Sequence, residues 1–97
     1  MSTPIRVLIV EDSEDDSLLM LRELKRGGYD PVHDRVETAK AMKAALKKQP
    51  WDIILCDYVM PRFSAPDALK TLKESGLDIP LIIVSGSIGE DTAVAAM

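Results

Sequence analysis

An α/β fold built on a parallel sheet is predicted by three features of this sequence. Strand-like apolar runs at residues 5–10, 53–56 and 81–84 alternate with segments of helical periodicity, the order that βαβ units produce. The runs are almost continuously apolar, as strands are when both faces of a parallel sheet are covered. Polar residues follow them closely: Glu11-Asp12 after the first, Asp57 after the second and Ser85 after the third. With right-handed crossovers, helices cover both faces, and the carboxyl ends of the strands form the ligand-binding edge.

The elements follow in order. Residues 5–10 read Ile-Arg-Val-Leu-Ile-Val, a buried strand. Ser13 offers a helix cap, and Asp16 three positions later gives an acidic variant of the capping box. The helix carries an apolar stripe of Leu18, Leu21 and Leu24, with Leu19 and Met20 beside it, and Gly27-Gly28 supplies a left-handed stop. Residues 31–36 form a weaker strand whose polarity, including His33 and Arg35, suits a sheet edge. Glu37 or Thr38 opens a second helix with Ala41, Met42, Ala45 and Leu46 at helical spacing, and Pro50 terminates it. Residues 53–56 are the central strand, and residues 61–66 form a loop. Ser64 and Pro66-Asp67 supply first-turn chemistry for a third helix with Ala68, Leu69 and Leu72, closed by Gly76. Residues 81–84 make the fourth strand. Ser85-Gly86-Ser87 then turns the chain into a fourth helix beginning at residues 90–97.

Composition narrows the function. Ninety-seven residues suit one domain, spanning 1–97, and 46% hydrophobic with 29% charged residues is ordinary for a globular chain. Sixteen acidic against 12 basic residues give a net charge of −4, which argues against a phosphate-backbone binder and so against nucleic acid as a direct partner. The single cysteine, Cys56, lies within an apolar strand, so a disulfide framework is excluded and Cys56 is read as packing. No apolar stretch approaches the ~20 residues of a membrane span, and the start has no signal-peptide pattern. The expectation is a cytoplasmic protein without membrane contact.

Two strands deliver Glu11, Asp12 and Asp57 to one edge of the sheet. Crowded carboxylates raise one another's pKa unless a cation sits among them. A hard divalent metal held by oxygen answers that repulsion, with one carboxylate left to react as a nucleophile. Glu11 and Asp12 also suit a helix first turn, and Ser85 suits a strand-ending turn, so each has a structural reading beside the chemical one.

Taken together, Glu11-Asp12, Asp57 with Met60-Pro61 after it, and Ser85-Gly86 make the chain resemble the receiver domain of two-component response regulators over its whole length. The resemblance implies a flavodoxin-like doubly wound sheet of strand order 2-1-3-4-5. It implies that Asp57 accepts a phosphoryl group from a phosphohistidine on a sensor histidine kinase or phosphotransfer protein. Mg²⁺ would be held by Asp12, by Asp57, by the backbone carbonyl of Val59, and by Glu11 acting through water or orientation. Ser85 would donate its hydroxyl to a phosphoryl oxygen beside the backbone amide of Gly86, and movement of that loop would carry the signal. The chain would be a regulatory phospho-acceptor assisting its own phosphorylation and dephosphorylation, rather than an enzyme with an external substrate.

Departures from the family pattern qualify this. Ala65 stands where receivers usually have Gly, and Tyr58 adjoins the acceptor. The family's fifth strand with its Lys, its aromatic switch residue and its fifth helix are expected to be missing, leaving an order 2-1-3-4 in a C-terminally incomplete domain. An open fourth-strand edge would then favour homo-oligomers by edge pairing or exchange of elements. Two alternatives are an interaction module that never handles phosphate and a Mg²⁺-dependent phosphohydrolase of the haloacid dehalogenase type. The second is weakened because its general acid would fall at Val59.

Overall fold

The computed structural model describes residues 3–57, 63–84 and 93–96. Strand β1 (Thr3–Val10) leads to helix α1 (Glu14–Arg26), followed by β2 (Tyr29–Val36), α2 (Ala39–Lys48), β3 (Ile53–Asp57), α3 (Ala65–Ser75), β4 (Leu81–Val84) and β5 (Ala93–Ala96). The sheet order is β2-β1-β3-β4-β5, so the expected 2-1-3-4 arrangement of parallel strands is present.

Alternation along β1 explains its unbroken apolar run. Leu8 and Val10 enter the core beneath α2 and α3, with Ile54, Cys56, Met42, Leu46 and Leu72. Val7 and Ile9 point the other way, into a smaller core with Met20, Leu21 and Leu55 under α1. The last four β1 side chains, Val7, Leu8, Ile9 and Val10, are fully buried. The polar β2 is an edge strand paired only with β1 among the described strands, and its Val32 and His33 are exposed.

Helix ends follow their capping residues. The Ser13 hydroxyl accepts from the Asp16 amide at 3.3 Å. The Ser13 amide is taken by Glu11 rather than by Asp16, so the expected reciprocal box does not form there. It forms at α3, where Ser64 and Asp67 satisfy each other's backbone amides. Thr38 caps α2 by accepting from the Ala41 amide.

Gly76 ends α3 at φ 76°, with open space where a Cβ would stand. Gly76→Ala is therefore expected to cost backbone energy alone, about 1 kcal/mol. Thermal unfolding should show a Tm lower by roughly 5 °C.

Three expectations change. The buried stripe of α1 runs through Ser17, Met20 and Leu21 with Leu24 packed alongside, while Leu18 is 52% exposed. The stripe is thus rotated by one residue, because small Ser17 sits against the sheet while its hydroxyl donates to the Glu14 carbonyl. Next, part of the segment expected to start a fourth helix is instead β5, antiparallel to β4 from Leu81↔Ala96 to Val84↔Ala93. So short a segment gains little from helix propensity, whereas the open β4 backbone offers ladder partners. Finally, the open fourth-strand edge expected from the sequence is instead paired with β5.

Candidate metal and phospho-acceptor site

The carboxyl ends of β1 and β3 lie side by side, with Val10 opposite Cys56 in the ladder, so the next residues along each strand, Glu11 and Asp57, meet beyond it. Glu11 extends the ladder by one bond: its amide donates to the Val36 carbonyl at 3.0 Å. Its side chain turns back to accept from the Ser13 amide at 3.1 Å. Asp12 follows as the turn begins and is exposed, while Asp57 closes the central strand and is 6% exposed.

Glu11, Asp12 and Asp57 each bring one carboxylate oxygen into a group whose members all lie within 4.8 Å of one another. The sequence expectation that these three acids converge is therefore met. Val59, Ser85 and Gly86, the other expected site residues, lie outside the described residues, as do Tyr58 and Met60-Pro61.

The electrostatics match that crowding. Burial is the main cause pushing the Glu11 carboxyl from 4.5 up to about 8. Hydrogen bonding to Asp12 and the charge and hydrogen bonding of Asp57 push the same way, against the Ser13 amide. A proton on Glu11 thus does in the metal-free protein what a cation would do: it relieves repulsion within the cluster. An all-oxygen, acid-rich, half-open donor set suits a hard divalent cation that keeps some of its waters, so the residues fit Mg²⁺.

Cys56 is buried beside this site, and burial with the charges of Asp57 and Glu11 pushes its thiol up to about 12. It is inert packing, as expected. Trp51 is anchored at the opposite end of β3 through its indole N–H to the Ala45 carbonyl at 2.9 Å.

Sequence reasoning passed over Arg35. Its Nη1 donates to the Glu11 backbone carbonyl at 3.2 Å and to Glu37 Oε2 at 3.0 Å. The available signal was a lone cation one position before the end of the edge strand, but only the parallel β1–β2 register, Ile9↔Arg35, brings it to Glu11. The Arg6–Asp52 pair was also missed; it joins the amino end of β1 to the turn before β3 by two side-chain contacts of 3.2 and 3.3 Å. Those bonds from Arg6 hold the Asp52 carboxyl below its usual range.

The sequence model of the response regulator receiver domain family matches residues 7–97. The two-component response regulator ORR41 of rice is 30% identical over 83 residues, which are 84% of this chain and 65% of that protein. The transcriptional regulatory protein PrrA of Mycobacterium tuberculosis is 30% identical over 95 residues, 98% of this chain and 40% of that protein. The chain thus spans less than two thirds of either relative. Among solved structures, the MaeR response regulator bound to beryllium trifluoride superposes with a TM-score of 0.70 at 22% identity, covering 90% of this chain and 69% of that one. The receiver domain of the Erythrobacter litoralis response regulator PhyR gives 0.69 at 23% identity, covering 86% and 64%. At these identities the superpositions speak to the fold.

Proposed function

This chain belongs to the response regulator receiver domain family, and from that premise we propose that Asp57 is its phospho-acceptor, taking a phosphoryl group from a phosphohistidine of a sensor kinase or phosphotransfer protein. The observation that carries the reading is the convergence of Glu11, Asp12 and Asp57 within 4.8 Å at the carboxyl edge of the sheet. Membership of the family supports a regulatory role and a histidine-kinase or phosphotransfer partner.

In this reading an Asp57 carboxylate oxygen attacks phosphorus as the phosphorus–nitrogen bond of the donor imidazole breaks, leaving an acyl phosphate on Asp57 and the freed imidazole on the donor. Asp12 and Asp57 would hold Mg²⁺ directly, Glu11 would act through water or orientation, and the Val59 carbonyl would be the remaining protein ligand. When bound, Mg²⁺ supplies charge neutralisation for the incoming phosphoryl oxygens. Ser85 would donate its hydroxyl to a phosphoryl oxygen, with the backbone amide of Gly86 as a second donor. Burial of Asp57 at the end of the central strand fixes the nucleophile, which is most of what phosphoryl transfer asks of a protein.

Beryllium trifluoride, bound by the structurally similar MaeR regulator, provides the test. Titrated with Mg²⁺ into this chain, it should shift amide resonances of residues 10–13 and 57 in NMR spectra. No shift at any concentration of the two together would remove the phospho-acceptor reading and favour an interaction-only module. Indole fluorescence is a poor monitor, because Trp51 precedes β3 while Asp57 ends it, a separation on the order of 20 Å at strand rise.

A further inference from the structure

We propose that Arg35 is a positioning residue for the acidic site, setting the Glu11–Asp12 peptide through the Glu11 carbonyl; this rests on reading Glu11, Asp12 and Asp57 as a Mg²⁺ site. Glu11 is held in three directions. Its amide is tied to the Val36 carbonyl at 3.0 Å, its Oε1 to the Ser13 amide at 3.1 Å, and its carbonyl oxygen to Arg35 Nη1 at 3.2 Å. The first contact continues the sheet and the second is local. The third reaches the residue from a side chain on the edge strand.

That third contact matters for Asp12 more than for Glu11. The Glu11 carbonyl and the Asp12 amide belong to one planar unit that also carries the Asp12 Cα. Fixing the oxygen therefore fixes the plane from which the exposed Asp12 carboxylate projects. Asp12 stands where the strand has ended and α1 has not yet begun, so neither ladder nor helix sets that plane. Arg35 also bonds Glu37, immediately before the Thr38 cap of α2. One guanidinium thus ties together the turns after β1 and after β2.

Two opposed effects on Mg²⁺ affinity follow from this placement. A cation near the cluster repels Mg²⁺, whereas an ordered Asp12 favours it. The Arg35–Glu37 pair cancels much of the guanidinium charge at short range, and water screens the remainder. Positioning is therefore the larger effect, and loss of Arg35 weakens binding.

The test is calorimetric titration of MgCl₂ into the unmodified chain, Arg35→Met and Arg35→Lys at pH 8, with thermal unfolding of each protein in chelator. Arg35→Met should bind Mg²⁺ about threefold to tenfold more weakly, the range one net hydrogen bond supplies. Its metal-free Tm should fall by no more than about 5 °C, the cost of one net hydrogen bond, since the exposed ion pair with Glu37 adds little. Arg35→Lys, whose ammonium can still donate to the Glu11 carbonyl, should recover most of the lost affinity. Equal or tighter binding by Arg35→Met overturns the proposal, as does a loss that Arg35→Lys does not relieve. If Arg35→Met fails to fold, Arg35→Lys decides: affinity within about twofold of the unmodified chain supports the proposal, and a loss as large as one hydrogen bond supplies overturns it. If the folded, unmodified chain takes up no Mg²⁺ at all, the metal-site reading itself fails and Arg35's role falls with it.

Discussion

Replacing Asp57 by Asn is expected to abolish phosphorylation of the chain by acetyl phosphate in the presence of Mg²⁺. The two side chains have nearly the same shape, so the core around β3 is undisturbed, but an amide is not the carboxylate nucleophile the reaction needs. The same substitution removes one of three carboxyl groups gathered within 4.8 Å. Metal-free Asp57→Asn should consequently melt at or above the temperature of the unmodified protein, because clustered like charges destabilise the fold. Loss of phosphorylation with unimpaired stability separates a chemical role from a structural one. Continued phosphorylation of the variant would move the acceptor elsewhere.

The second large effect is a link between pH, Mg²⁺ and stability that runs through Glu11. Its carboxyl is raised from 4.5 to about 8 in the folded, metal-free protein. Between those values the folded state keeps a proton that the unfolded chain has released. The stability this proton confers is complete below pH 4.5 and is lost as pH rises through about 8. Between pH 6 and 8 the expected loss, allowing for solvent screening, is on the order of 1 kcal/mol, or roughly 5 °C in Tm for a domain of this size. In the metal-site reading Mg²⁺ would take the proton's place among the carboxylates. The Tm gained by adding Mg²⁺ should accordingly be larger at pH 8 than at pH 6.

Glu11→Gln isolates the cause. A glutamine amide can donate to neighbouring carboxylates at any pH, as the protonated acid does, so the variant should lose the slope and melt higher than the unmodified protein at pH 8 without metal. Persistence of the slope in Glu11→Gln would assign it to another group.

The parts of the fold visible in the sequence were those written in local patterns. The apolar run of β1 announced a strand covered on both faces, and Leu8 with Val10 and Val7 with Ile9 do enter two separate cores. Ser13, Thr38 and Ser64 announced helix starts because a capping hydroxyl acts within three residues. Period was legible where phase was not: in α1 the leucines pointed to a stripe through Leu18, but the buried face passes through Ser17 and Met20, since close contact with the sheet favours a small residue over an apolar one there. Segment 93–96 shows the limit of propensity. Its alanines suit a helix, yet pairing with β4 decides its state.

At the site, the acids were legible because strand ends in a parallel sheet share one edge, so Glu11, Asp12 and Asp57 could be brought together by counting. Arg35 was not, because its contact depends on a register between β1 and β2 that no local pattern encodes.

Mass spectrometry of the intact chain after incubation with acetyl phosphate and Mg²⁺, followed by peptide mapping, tests the phospho-acceptor assignment most directly. One phosphoryl group on Asp57, absent when the metal is chelated, is the predicted result. A chain that stays unmodified with Mg²⁺ present, or that carries its phosphoryl group on a different residue, would contradict it.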